Sequence, residues 1–139
     1  VVFEDGFVIE TKGMTDILDI TLQVELIVSA SKVQSGIVLA FTPGSTAGLT
    51  TMEYEPGTVS DLKEAIARLA PEELDYAHVL SGDGNGFSHV RAALLGPSLS
   101  LPVRGGALVT GKWQQVVLVD FDNRPRNRRV EVQVLGDNP

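Results

Sequence analysis

The chain has 139 residues, 43% hydrophobic and 21% charged, with no cysteine and a formal net charge of −7. That length fits one domain with its own core, and the absence of thiols excludes disulfides, cysteine nucleophiles and cysteine-bound zinc. The acidity argues against nucleic-acid or anionic-membrane partners, and no apolar run nears the roughly 20 residues that span a bilayer, so a soluble, cytoplasmic protein is expected.

Gly6 to Thr11 is a β-prone run that predicts an opening strand. Ile20, Val24, Ile27 and Val28 fall at i, i+4, i+7 and i+8, which predicts a helix beginning near Asp19 or Thr21 and ending before Gly36. Leu22, Val24 and Leu26 also alternate as a strand would, and the helical stripe is preferred. Gly36 to Thr42 is a continuous apolar run ended by Pro43-Gly44, a strand covered on both faces or on the core side of a small sheet. Thr46 to Glu53, closed by Glu55-Pro56-Gly57, predicts a second short strand. Leu62, Ala65, Ile66 and Leu69 predict a helix, with Thr58 and Asp61 resembling a capping box and Pro71 stopping it.

The stretch Asp75 to His89 holds both histidines, His78 and His89, separated by a turn with Gly82, Gly84 and Gly86 around Asp83 and Asn85. Glycines permit positive φ and close backbone approach, while Asp and Asn suit turns and caps. Phe87 to Leu95 then predicts a helix capped by Asn85 or a residue nearby and ended by Gly96-Pro97. Four strand-like runs follow, Ser98 to Val103, Ala107 to Thr110, Trp113 to Phe121 and Arg129 to Leu135, with turns short enough for antiparallel meanders. Val130, Val132 and Val134 alternate with Glu131 and Gln133, so the last strand has one wet face. The expected fold class is α+β: a single domain over residues 1–139, with an antiparallel β-sheet of sandwich or barrel-like form and about three helices packed against it.

Candidate chemistry concentrates in three places. His78, Asp83 and His89 combine two imidazoles and a carboxylate that could hold zinc, magnesium or another divalent ion, although their spacing matches no standard zinc motif. The plain alternative is a half-buried His78, a capping Asp83 or Asn85, and a His89 packed on its helix. Arg124 and Arg126 belong to the cluster Arg124-Pro125-Arg126-Asn127-Arg128-Arg129, whose forked donors suit phosphate or carboxylate; the plain alternative, the more ordinary one for an isolated arginine run, is a solvated hairpin loop pairing with the chain's many carboxylates. Ser45 and Thr46, in the small-residue loop Thr42 to Gly48, could cradle an anion, but without the lysine of a P-loop. Glu53 is a candidate general base or metal ligand, and Trp113 is expected to pack on the core.

Taken together, Ser45-Thr46-Ala47-Gly48-Leu49-Thr50 with Glu53, Tyr76-Ala77-His78, Asp83-Gly84-Asn85-Gly86-Phe87-Ser88-His89, Gly111-Lys112-Trp113-Gln114 and Asp122 to Arg129 resemble the YjbQ-like family over nearly the whole chain. Some of its members are described as secondary thiamine-phosphate synthases. The resemblance implies an α+β subunit assembled as a homotrimer, with His78, Asp83 and His89 in an active site and a small anionic or phosphorylated ligand. The reaction it implies joins a pyrimidine methyl diphosphate to a thiazole phosphate with release of pyrophosphate. One departure stands out: the family pattern reads His-Thr-Thr-Ala-Ala where this chain has Gly44-Ser45-Thr46-Ala47-Gly48, and a glycine can neither ligate a metal nor carry a proton. Two alternatives therefore accompany the synthase reading: a ligand-binding or assembly protein that lost activity through Gly44, and a metal-dependent hydrolase built on His78, Asp83 and His89.

Overall fold

The stripe Ile20, Val24, Ile27 and Val28 is buried on one side of a helix, 0%, 1%, 7% and 1% exposed, while Leu22 and Leu26 point outward at 64% and 60%, so the 3.6-residue period prevails over the alternation. We analysed a computed structural model that describes residues 1–78, 82 and 84–139. The elements run β1 (Val2–Thr11), β2 (Asp16–Asp19), α1 (Thr21–Ser31), β3 (Ser35–Phe41), β4 (Ala47–Met52), α2 (Pro56–Leu69), α3 (Gly86–Leu95), β5 (Ser98–Arg104), β6 (Ala107–Leu108), β7 (Gln115–Asp120) and β8 (Arg126–Asp137). All strand pairs are antiparallel. They form a five-stranded sheet in the order β1-β8-β3-β5-β6 and a three-stranded sheet in the order β2-β7-β4.

The three-stranded sheet is the middle layer. On one side, Val116 and Leu118 of β7 and Leu49 of β4 meet α1 and the inner face of the five-stranded sheet, where Val130, Val132 and Val134 of β8 and Val38 and Ala40 of β3 lie. On the other, Val117 and Val119 of β7, with Ile17 and Phe121, pack against Val59, Leu62 and Ile66 of α2 and Ala92 and Leu95 of α3. Because β7 is covered on both faces, its residues Val116 to Asp120 are all buried, and a nearly continuous valine-leucine run is what such a strand needs.

Three local expectations change and one is resolved. Residues 16–19 form a strand the pattern did not suggest, held to β7 by the register Asp16↔Asp120 to Asp19↔Val117. Of the two settings expected for β3 it takes the second, one core face and one wet face, with Ile37 54% and Phe41 39% exposed. The cap of α2 is Glu55, whose carboxylate accepts from the backbone N–H of Gly57 and Thr58, with Pro56 in the first turn; Thr58 and Asp61 do not cap it. Finally, β7 and β8 do not form a hairpin. They belong to different sheets, residues 121–125 cross between the layers, and Asp122 within the crossing is buried and paired with Arg126.

Among the described residues no helix is long and apolar enough to cross a membrane.

Candidate functional site

At one end of the layers the β1–β2, β3–β4 and β7–β8 connections meet the N-terminus of α3. Phe121 N–H donates to the Thr46 carbonyl at 2.9 Å, and Met14 N–H to the Asp122 carbonyl at 2.7 Å. Beneath this junction lies a charged network. Asp120 and Asp122 are fully buried, and Arg128 is 8% exposed. Arg128 donates Nε to Asp120 Oδ2 at 2.7 Å and Nη2 to Asp120 Oδ1 at 3.0 Å, a two-pronged pairing that satisfies both oxygens. Thr11 adds a hydroxyl to Asp120 Oδ2 at 2.5 Å.

Asp122 accepts from Asn85 Nδ2 at 3.0 Å, Thr46 Oγ1 at 2.9 Å and Arg126 Nε at 3.0 Å. Burial by itself would raise this carboxyl, but the three hydrogen bonds and the Arg126 charge outweigh it and hold the group below the ordinary aspartate value. The Asn85 side chain, 3% exposed, also accepts from Ser88 Oγ at 2.7 Å and from Asn123 N–H at 3.2 Å. It therefore locks α3 to the β7–β8 crossing, and the helix is capped by its backbone carbonyl, which accepts from Ser88 and His89 N–H.

Above the network stand the histidines. The ring centroids of His78 and His89 are 4.5 Å apart at an interplanar angle of 58°. His89 Nδ1 lies 3.1 Å from the Ser45 carbonyl. A carbonyl only accepts, so Nδ1 carries the hydrogen, and in the neutral ring Nε2 keeps its lone pair for a proton, a ligand or an ion. The approach of the His78 segment depends on Gly86, where a Cβ would stand 2.6 Å from Cβ of Tyr76. Tyr76 is tied in turn by its hydroxyl to the Pro71 carbonyl at 2.7 Å. Gly44 has φ +115°, and a Cβ there would lie 3.4 Å from Arg128 Nη1, so the side-chain space opposite Ser45 borders a guanidinium.

The structure thus brings together His78, His89, Ser45, Thr46, Asn85 and Arg126. The Thr46 hydroxyl is engaged internally, donating to Asp122 and accepting from Arg128 Nη2, so it supports the junction from below. Ser45 and Arg124 are exposed. Asp83 lies outside the described residues. Glu53 follows the far end of the six-residue β4, beside Lys112 and Trp113, and is separated from the histidines by the length of that strand. Trp113 is 64% exposed and carries Lys112 Nζ over its ring at 5.0 Å, against the expectation that it packs on the core. A depression of about 370 Å³ beside His78 is bordered by Glu72, Asp75 and Tyr76, so an anion is better received on the Ser45 side, away from those carboxylates.

Sequence reasoning missed the buried Asp120 and Asp122, and it placed Arg128 in an arginine cluster on a turn without foreseeing that its side chain is interior. Arg128 has the parity of Val130, Val132 and Val134 in the same strand, and that alternation was the available signal that it points inward.

The profile of the YjbQ family, described as UPF0047 protein YjbQ-like, matches residues 5–137. A UPF0047 protein of Archaeoglobus fulgidus is 39% identical over 127 residues, covering 91% of this chain and 97% of its own. One from Methanothermobacter thermautotrophicus is 33% identical, covering 97% and 93%. The crystal structure of a YbjQ-like protein of unknown function from Sulfolobus solfataricus superposes with a TM-score of 0.94 at 35% identity, covering 99% of both chains. A hypothetical protein from Aeropyrum pernix gives 0.90 at 30% identity, covering 97% and 99%.

Proposed function

We propose, because the chain belongs to the UPF0047 YjbQ-like family, that the histidine pair over the Asp120–Arg128 network forms a polar pocket for a small anionic or phosphorylated ligand. The observation that carries this reading is the 3.1 Å contact of His89 Nδ1 with the Ser45 carbonyl, which fixes the ring and directs its other nitrogen away from the backbone. Neighbouring donors support it. Arg128 Nη1 borders the empty side-chain space of Gly44, and Arg124 and Arg126 lie at the same junction. Buried carboxylates hold Arg128 and Arg126 in place, so the donors meet an incoming oxyanion already oriented.

The reaction we propose for this pocket is a weak thiamine-phosphate synthase activity. The ring nitrogen of a thiazole phosphate attacks the methylene carbon of a pyrimidine methyl diphosphate, a carbon–nitrogen bond forms, the carbon–oxygen bond to the diphosphate breaks, and its electron pair leaves with pyrophosphate. The demand on the protein is orientation of two rings and stabilisation of the departing charge. His89 and the arginines fit the second task, with Ser45 at the rim. A homotrimer belongs to the same reading, and the outer face of the five-stranded sheet, where Ile37, Phe41 and Leu135 are exposed, offers apolar area for it.

A divalent ion is the second reading. His89 fits a ligand role, since an Nδ1–H held by a carbonyl is how metal-bound histidines are commonly oriented, and the His78 ring is near enough to share an ion. Among the described residues no third histidine, aspartate or glutamate joins them, and Asp83 lies outside that set. The ion would supply charge for a phosphate or activate a water, as a hydrolase requires.

Calorimetric titration with pyrophosphate and the two thiamine precursors, followed by a turnover assay, tests the proposal. Saturable binding that weakens in His89→Asn is expected. No binding of any phosphorylated compound, together with no turnover, would overturn it. Binding without turnover would favour the non-catalytic alternative that Gly44 suggests, and elemental analysis of untagged protein decides the metal reading.

A further inference from the structure

Away from the histidines, α2 and α3 leave a cleft of about 190 Å³ walled by Leu62, Ile66, Leu69, Leu94 and Leu95 and floored by Phe121. Among the described residues its one polar lining side chain is Arg91, which is 6% exposed. That guanidinium is held from three sides. Nε donates to the Ala70 carbonyl at 2.9 Å, Nη1 donates to Thr15 Oγ1 at 3.1 Å, and the group lies 4.8 Å from the centroid of the Phe87 ring. Nη2 makes no hydrogen bond among the described residues. Burial is the largest influence on this cation and lowers its pKa, Tyr76, Glu72 and Glu73 act on the charge in the opposite sense, and neither glutamate forms an ion pair with Arg91 among the described residues.

We propose that this cleft binds a small apolar carboxylate of the short-chain fatty acid class, its hydrocarbon on the leucines and its carboxylate on Nη2 of Arg91. A purely hydrocarbon occupant would take water from Nη2 and return no acceptor, which costs more than the contact gains at that end. A carboxylate supplies the acceptor and the charge, and the fixed plane of the guanidinium presents it without further ordering. A protein partner is disfavoured by the same reasoning, since a leucine or phenylalanine inserted into the cleft would leave the cation unmatched. Leu69 and Leu94, 74% and 66% exposed, form the rim across which a flexible tail could enter.

Titration of the full chain with octanoate, and separately with 1-octanol as its neutral counterpart, tests this. Octanoate is expected to bind once per chain and about tenfold or more tightly than octanol, the difference one charge-assisted hydrogen bond supplies. Arg91→Gln should bring octanoate to the level of octanol. Should that variant fail to fold, Ile66→Trp fills the cleft with Arg91 retained and is expected to abolish octanoate binding while cooperative unfolding persists. Equal affinity for the two probes, no saturable octanoate binding, or octanoate binding that survives Ile66→Trp each overturns the proposal. A change in particle mass by light scattering in Ile66→Trp, without octanoate binding by the parent, would instead assign the cleft to a contact between copies of the chain.

Discussion

Arg128 holds both carboxylate oxygens of Asp120, at 2.7 and 3.0 Å, with the carboxylate fully buried between the two sheets. Removing one partner of such a pair strands the other's charge in the interior, so Arg128→Met should cost about 3–5 kcal/mol. Urea denaturation measures it. The double variant Arg128→Met with Asp120→Asn should lose less than the sum of the singles, because the stranded charge is gone. A loss below about 1 kcal/mol in Arg128→Met would mean that the pair behaves as a surface ion pair.

Asp122 gives the acid side of the stability profile. Its folded-state carboxyl is held below the ordinary aspartate value, so its contribution is complete above the unfolded value of about 4 and is lost as the pH falls through the folded one. The melting temperature should drop below about pH 4, and Asp122→Asn, less stable at neutral pH, should show a shallower drop. Parallel pH profiles for the two proteins would count against this assignment.

Gly44 combines φ +115° with space bounded by Arg128 Nη1 at 3.4 Å from a built Cβ. Gly44→Ala and Gly44→His should therefore each lose about 1–2 kcal/mol from the backbone alone. Turnover is the separate readout. If Gly44→His converts the two thiamine precursors faster than the parent despite its lower stability, the parent is a weakened enzyme; if neither turns over, histidine at this position was not the missing element.

Gly86→Ala should be more damaging than Gly82→Ala, although only Gly82 has a positive φ of the two. A Cβ at Gly86 would collide with Tyr76 Cβ at 2.6 Å, whereas one at Gly82 meets nothing within 4 Å among the described residues. We expect a loss of about 1–3 kcal/mol for Gly86→Ala and weaker binding of pyrophosphate, since the collision pushes the His78 segment from His89. Unchanged stability in thermal melts would show that the segment can shift freely.

His89→Asn and His89→Gln should keep the fold, because the ring is only half-buried, and should lower pyrophosphate affinity by about tenfold, the scale of one charge-assisted contact. Calorimetry at fixed ionic strength reads this. Equal affinity in both variants would place the phosphate elsewhere.

Much of the fold was legible because apolar periodicity is a local signal. The α1 stripe and the valine alternation of β8 each predicted an element that the structure contains. Of the candidate site, one relationship followed from the sequence order: His78 and His89, eleven positions apart, have ring centroids 4.5 Å apart. Hidden from the sequence were the fully buried Asp120 and Asp122, because an aspartate before a turn is ordinarily a solvated one, and only a second sheet laid across it makes it interior.

The sequence by itself determined the three helices, most of the strands and the inward parity of β8, since each depends on neighbours a few positions apart. Tertiary structure alone decided that β7 and β8 belong to different sheets, that Arg128 is spent on Asp120 while Nη1 borders Gly44, and that Ser45 orients His89. Those are contacts between residues 8 to 84 positions apart, and their energies depend on burial and direction that no local pattern encodes.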